Sequence, residues 1–181
     1  MSTPTDMQLL AQAQSIAKAF KHNNKYLATA ESCTGGWVAK LMTDIVGSSG
    51  WFERGFVTYT NQSKQEMLGV PATIIDEQGA VSEATVRAMA AGALQHSHAD
   101  ISVAISGIAG PGGGTTYKPV GTVWIAWGQL ASRGSTSNIN VQSVHCLFEG
   151  DRDEIRRQAV SHALEGILNA VNELSTGQAS H

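Results

Sequence analysis

What most constrains the fold of this chain is the order in which its apolar periodicity changes. A helical period comes first, over residues 6–22, with Leu9, Leu10, Ala13, Ile16, Ala17 and Phe20 on one face. A short strand candidate follows at 26–30. Residues 35–45 return to helical spacing through Val38, Leu41, Met42 and Ile45. The alternation then repeats with a strand at 55–59 and a short helix near 62–68. A longer helix starts from Ser82 as N-cap and runs to about His96, with Val86, Met89, Ala90, Ala93 and Leu94 inward. Residues 101–106 form an apolar strand. Two strand-like runs, 120–127 and 139–148, then come together across a Ser/Gly/Asn turn region. Asp151 caps a final helix, with Glu154 three residues on as in a capping box. Its inward face is Ile155, Ala159, Ala163, Leu164, Ile167, Leu168 and Val171, and fraying is expected from about Ser175. Early alternation followed by adjacent strands predicts an α/β fold, a three-layer α/β/α sandwich with a mixed β-sheet.

The 181 residues suit one domain, and no repeat, low-complexity block or linker divides them. A charged fraction of 15% argues against disorder, and 42% hydrophobic residues supply a core without disulfides or metals. The net charge of -3 and the absence of a Lys/Arg run leave no footprint for nucleic acid. The densest basic spot is Arg152, Arg156 and Arg157, which suits a small anion better than a duplex. The two cysteines, Cys33 and Cys146, lack metal spacing and read as reduced thiols. No secretory leader and no apolar run of membrane-spanning length is visible, so a cytoplasmic protein is expected.

Four segments can carry chemistry. In Thr29-Ala-Glu-Ser32-Cys33-Thr34-Gly35-Gly36 a strand runs into a helix. A serine at that turn projects its hydroxyl over the sheet edge, and the amides of residues 33–36 point free N–H groups the same way, toward a developing oxyanion. The plainer alternative is that Ser32 or Thr34 is an N-cap. In Phe56-Val-Thr-Tyr59-Thr-Asn-Gln-Ser-Lys64 a strand again feeds a helix. Lys64 falls near the positive end of the helix dipole, which depresses its pKa and makes a neutral general base available; Tyr59 at the strand end can relay or hold a proton. A solvated Lys64 with a core Tyr59 is the alternative. The loop Ser106-Gly107-Ile108-Ala109-Gly110, continuing to Gly114, lies at the end of an apolar strand, where α/β sheets bind ligands, but a structural hairpin-type loop fits equally. Arg152 and Arg156, four apart at the start of the last helix, oppose its dipole unless an anion sits there or Asp151, Asp153 and Glu154 neutralise them.

Metal chemistry has little support. The six histidines and the carboxylates form no HExxH or similar cluster. Ser15-Ile-Ala-Lys18 matches SxxK in letters only, on an amphipathic helix with no supporting motif. Cys33, adjacent to Ser32, is a rival nucleophile.

Taken together, the segments TAESCTGGWVAKLMTDIVGSSGWFERGFVTYTNQSK, GAVSEATV, ISGIAGPGGG, KPVGTVWIA and GDRDEIRRQA resemble the CinA C-terminal domain family, specifically its stand-alone nicotinamide-nucleotide amidases. The matching blocks span about Ala28 to Ala159. The resemblance implies hydrolysis of nicotinamide mononucleotide to nicotinic acid mononucleotide and ammonia, in pyridine nucleotide recycling. It implies Ser32 as nucleophile, Lys64 as general base and Tyr59 as an assisting group. The amides of Cys33, Thr34, Gly35 and Gly36 would form the oxyanion hole. Ser106, Gly107, Ile108, Ala109 and Gly110, with Arg152 and Arg156, would line the nucleotide site. It further implies no metal or other cofactor, a small-molecule substrate rather than nucleic acid or membrane, and a homo-oligomer, a dimer. Residues 112–118 are expected to carry no role. The rival from another class is a non-catalytic nucleotide- or phosphate-binding module, served equally well by the glycine loops and helix N-termini.

Overall fold

The structure is a computed structural model that describes residues 3–131 and 138–177, with side chains to residue 173. Its elements run α1 (Asp6–Asn23), β1 (Leu27–Glu31), α2 (Trp37–Thr43), β2 (Phe52–Val57), α3 (Asn61–Leu68), α4 (Ala72–Gln78), α5 (Glu83–Gln95), β3 (Ile101–Gly107), β4 (Thr122–Leu130), β5 (Ile139–Leu147) and α6 (Arg152–Gly177). The strands form one sheet in the order β2-β1-β3-β4-β5. Strands β2, β1 and β3 are parallel, and β4 is antiparallel to both of its neighbours. This is the mixed sheet that the order of periodicities predicts.

Two apolar clusters, one on each face of the sheet, give the three layers. On one face α1, α2 and α6 cover Leu27, Ile101, Val103, Ile105, Val123 and Ile125. On the other, α3, α4 and α5 cover Ala28, Ala30, Ala104 and Ala126. Alternate residues of β1 and β3 thus serve opposite cores, and burial on both sides explains why these strands do not alternate apolar with exposed residues. Small alanines on the second face let α5 lie close; Leu94 and Met89 fill the space above them. On the first face Phe20 and Trp51 are fully buried with ring centroids 5.9 Å apart. Each such side chain contributes about 1.5–3 kcal/mol by leaving water.

Local chemistry sets the helix ends. Thr5 and Gln8 form a capping box on α1, and Ser82 caps α5 through the Thr85 amide. Asp151 Oδ1 accepts from the amides of Asp153 and Glu154, while Glu154 Oε2 accepts from the Asp151 amide, so the expected capping box on α6 is present. Three differences from the sequence reading matter. Strand β2 starts at Phe52 and ends at Val57, so Tyr59 stands two residues beyond it. Helix α4 was not expected; it follows Pro71 and buries Ile75, a single apolar contact too short to show as a period. Helix α6 continues through Ser175 to Gly177, and the expected fraying beyond that, like most of the β4–β5 turn, lies outside the described residues. No described helix is long and apolar enough to cross a membrane.

Candidate active site

The parallel strands deliver their C-terminal ends to one edge of the sheet. Glu31 pairs in register with Val57 of β2 and Ile105 of β3, so Ser32, Thr58 and Ser106 come out side by side. Strand β4 starts at that edge and β5 ends there, which brings Gly150, Asp151 and the first turn of α6 to the same place. Chain order reverses between β1 and β3, since β1 leads outward to β2 and the chain then crosses to β3 on the other side. Open α/β sheets bind ligands at such a crevice.

Ser32 is held at this crevice as an extension of β1. Its amide donates to the Ile105 carbonyl at 3.0 Å. The chain then turns sharply through Gly35 (φ 63°) and Gly36 (φ 92°) into α2, a conformation that a side chain would strain. Lys64 reaches Ser32 from the first turns of α3, whose start is fixed by a Thr60–Ser63 capping box. Lys64 Nζ lies 3.1 Å from Ser32 Oγ and donates to the Thr58 carbonyl at 2.9 Å. The residue is 1% exposed and Ser32 is 8% exposed. Burial pulls the Lys64 pKa below the ordinary lysine range, and no carboxylate among the described residues opposes it. The result is an amine held against a hydroxyl in an environment that favours its neutral form.

The turn that follows differs from the sequence expectation of four available amides. The Gly35 N–H donates to the Ser32 carbonyl at 3.1 Å. The Gly36 N–H donates to Glu31 Oε2 at 3.1 Å, as do the Val38 N–H at 3.1 Å and the Thr34 hydroxyl at 2.7 Å; the Ala39 N–H donates to Oε1 at 2.9 Å. Gly35 and Gly36 therefore have no free N–H for an oxyanion. Among the described residues no carbonyl accepts from the N–H of Cys33 or Thr34, the former meeting only its own sulfur, and these two are the turn's remaining donors. The cap of α2 is Glu31 rather than Ser32 or Thr34. Burial pushes the Glu31 carboxyl up, against the hydrogen bonds that hold it down.

The two arginines diverge. Arg152 Nη1 donates to the Gly110 carbonyl at 2.6 Å and Nη2 to the Tyr59 hydroxyl at 3.1 Å. Tyr59 is 59% exposed, so it belongs to the mouth of the site, not to the core. Arg156 donates from Nε to the Cys33 carbonyl at 3.1 Å and from Nη2 to the Thr34 carbonyl at 3.0 Å, with its guanidinium 5.2 Å from the Trp37 ring centre. Arg157, by contrast, bonds Asp6 and Asp153 at the surface.

The β3–β4 connection is both a hairpin loop and a wall of the site. Ile108 is paired at both its main-chain groups, donating to Thr122 at 2.8 Å and accepting from Gly121 at 2.8 Å. This continues the β3–β4 ladder and leaves Ile108 no free main-chain N–H for a ligand. Ser106, Gly107 and Ala109 do face the crevice, and Ser106 Oγ donates to the Ala80 carbonyl at 2.7 Å. Lys118, in the stretch expected to carry no role, ties the loop to the α4–α5 turn through the carbonyls of Gln78 at 2.9 Å and Val81 at 2.8 Å.

These groups surround a hollow of about 220 Å³ that reaches Ser32, Tyr59, Asn61, Lys64, Ser106 and Arg152. A second, of about 500 Å³, borders it across Arg152 and also touches Gly110, Val120 and Arg156. Sequence reasoning missed Glu31, Asn61, Ala80 and Val81. Asn61 opens the helix that carries Lys64, a signal of placement if not of chemistry. Ala80 and Val81 fall in the GAVSEATV segment, which carried the resemblance but no assigned role. Among the described residues no group of three or more His, Cys, Asp or Glu can hold a metal ion.

Cys33 fits poorly as the nucleophile. Its side chain belongs to the core beneath the turn, and burial pushes its thiol up to about 12. Cys33→Ala should retain turnover within about threefold, and a thiol alkylator should leave the native protein active, because a buried neutral thiol neither attacks nor is attacked. Loss of activity in this variant with the fold intact would reverse the assignment.

Comparison with known proteins places the chain in a family. The model of the CinA C-terminal domain matches residues 10–171. The chain is 51% identical over 161 residues to the nicotinamide-nucleotide amidohydrolase PncC of Escherichia coli K12, covering 89% of this chain and 93% of that protein. It is 47% identical over 161 residues to the protein of the same name from Pseudomonas putida, covering 89% and 96%. Among solved structures, the competence/damage inducible protein CihA from Agrobacterium tumefaciens superposes with a TM-score of 0.84 at 43% identity, over 95% of this chain and 99% of that one.

Proposed function

This chain belongs to the CinA C-terminal domain family, and on that premise we propose that it is a nicotinamide-nucleotide amidohydrolase, acting as one catalytic domain. It converts nicotinamide mononucleotide and water to nicotinic acid mononucleotide and ammonia, within pyridine nucleotide recycling. The observation that carries the reading is the buried contact of 3.1 Å between Lys64 Nζ and Ser32 Oγ. A lysine buried without a carboxylate is costly, and a module that only bound nucleotides would gain nothing from it.

The steps follow from the placement of the groups. Neutral Lys64 donates one N–H to the Thr58 carbonyl and turns its lone pair to the Ser32 hydroxyl. As Oγ attacks the carboxamide carbon, its proton passes to Nζ. The Cys33 and Thr34 amides receive the oxyanion. When the C–N bond breaks, Nζ returns the proton to the departing nitrogen, and ammonia leaves. Water then attacks the acyl-enzyme, giving one proton to Nζ. Collapse breaks the acyl–oxygen bond, and Ser32 is reprotonated from Lys64. The cationic ring of the substrate draws electrons from the carbonyl and assists both attacks. No cofactor enters these steps. The direct Lys64–Ser32 contact requires no relay, so Tyr59 acts with Arg152 at the mouth, where the wider hollow takes the ribose and phosphate. The enzyme works in the cytoplasm as a homodimer.

Ammonia release from nicotinamide mononucleotide, with the riboside as comparison, tests this reading. The mononucleotide should give a kcat/KM at least about tenfold higher, as one charge-assisted contact from Arg152 is worth roughly 1.5–3 kcal/mol. Nucleotide binding without ammonia release would sink the amidase reading and leave the binding module.

A further inference from the structure

Glu31 lies one residue before Ser32, is fully buried, and makes no contact with the space in front of the nucleophile. Its carboxylate accepts from every amide of the turn and first helical residues that would otherwise compete for an anion, at Gly36, Val38 and Ala39. Arg156 works on the opposite polarity. It draws the carbonyls of Cys33 and Thr34 toward α6, and the ring of Trp37 backs its guanidinium. In a tight turn, fixing a carbonyl also fixes the plane of the next peptide, so holding Cys33 O sets the direction of the Thr34 N–H. Anchors on both sides fix the peptide planes of the turn that carries the Cys33 and Thr34 N–H groups, directly after Ser32.

We propose that Glu31 and Arg156 are positioning residues that clamp the nucleophile turn from its two sides and thereby build the two-amide oxyanion site. Glu31 also prevents the start of α2 from binding the anion in the wrong place. The Gly36, Val38 and Ala39 amides are saturated internally, so among the amides of this turn only those of Cys33 and Thr34 are left for negative charge developing on substrate. Arg156 thus serves the turn while also bordering the wider hollow, and Arg152 borders both hollows.

The clamp rests on the amidase reading but has a readout of its own. Glu31→Gln keeps shape and burial while replacing one acceptor oxygen by an N–H₂ group that faces a donor. Thr34→Val removes only the hydroxyl that donates to Glu31 Oε2. Arg156→Lys keeps the charge and loses the paired contacts to two carbonyls. The measurements are kcat and KM for ammonia release, melting temperature, and the rate at which phenylmethylsulfonyl fluoride labels Ser32, read by mass spectrometry. Glu31→Gln should lower kcat about 10- to 100-fold with KM within about threefold, since a mispointed oxyanion donor is felt in the transition state and not in the ground state; Arg156→Lys, whose side chain also borders the wider hollow, should show the same fall in kcat whatever its KM. Thr34→Val should show a smaller fall in the same direction, and sulfonylation should slow in parallel. Unchanged kcat in folded Glu31→Gln or Arg156→Lys overturns the clamp, as does a loss that follows only the folded fraction. If Glu31→Gln does not fold, Thr34→Val and Arg156→Lys decide. If the native protein releases no ammonia but its Ser32 is labelled, slower labelling in the variants keeps the clamp while the amidase reading falls. If Ser32 is neither labelled nor active, both fall.

Discussion

Ser32→Ala abolishes ammonia release from nicotinamide mononucleotide, with a fall in kcat of at least about 10⁴-fold, and melts at the temperature of the native protein. The size follows from removing the atom that forms the covalent bond, which leaves only binding and the amide donors to act on water. The unchanged stability follows from what holds the turn. Ser32 contributes its amide to the Ile105 carbonyl, and that bond survives the substitution. Losing the hydroxyl frees one contact of Nζ, while Nζ still donates to Thr58. Turnover within tenfold of the native enzyme would remove Ser32 from the mechanism and, with Cys33 buried, require a direct attack by water.

The second large effect is opposite in sign for activity and for stability. Lys64→Met lowers kcat about 10²- to 10⁴-fold, the range of a lost general base, and raises the melting temperature near neutral pH. In the native enzyme the rate rises with pH through the depressed pKa of Lys64 and then levels off, because the neutral amine is the active form. Stability follows by linkage. The folded pKa lies below the unfolded one, near 10.4, so between the two the unfolded chain binds more protons. Stability rises with pH across that window, and below the folded pKa the cost of burying the amine is present in full. Methionine fills the same space without that cost and abolishes the slope. Denaturant midpoints at a series of pH values, set beside pH–rate profiles, check both halves. A variant that is less stable at neutral pH would show that Lys64 holds the fold and is not strained for chemistry.

The layers and the mixed sheet were legible because the longer helices and the central strands carry a clear apolar period. The Ser32 and Lys64 segments were legible because both stand where a strand turns into a helix. Glu31 was not, since a glutamate after a short, mostly apolar strand reads as the first solvated position. Only the parallel neighbours on both sides bury it and turn it toward α2. Arg152 and Arg156 share a helix face, so sequence grouped them as one anion site. Their different partners depend on two loops whose positions no helical period encodes. Helix α4 and the early start of β2 were missed for a simpler reason, being short elements with charged or mixed residues such as the Glu53–Arg54 pair.

The attachment of Ser32 to Ile105, and of the Thr58 amide to Glu31 at 2.9 Å, ties the reacting groups to the central ladder instead of to a free loop. In amide exchange such groups open only with the cooperative unit that contains them. The nucleophile and the carbonyl that orients its base therefore belong to the slowest-exchanging part of the molecule, while Tyr59 and Arg152 at the rim fluctuate faster. Heat should inactivate such an enzyme no earlier than it unfolds the sheet, and substrate access, not assembly of the reacting pair, is left to the faster motions.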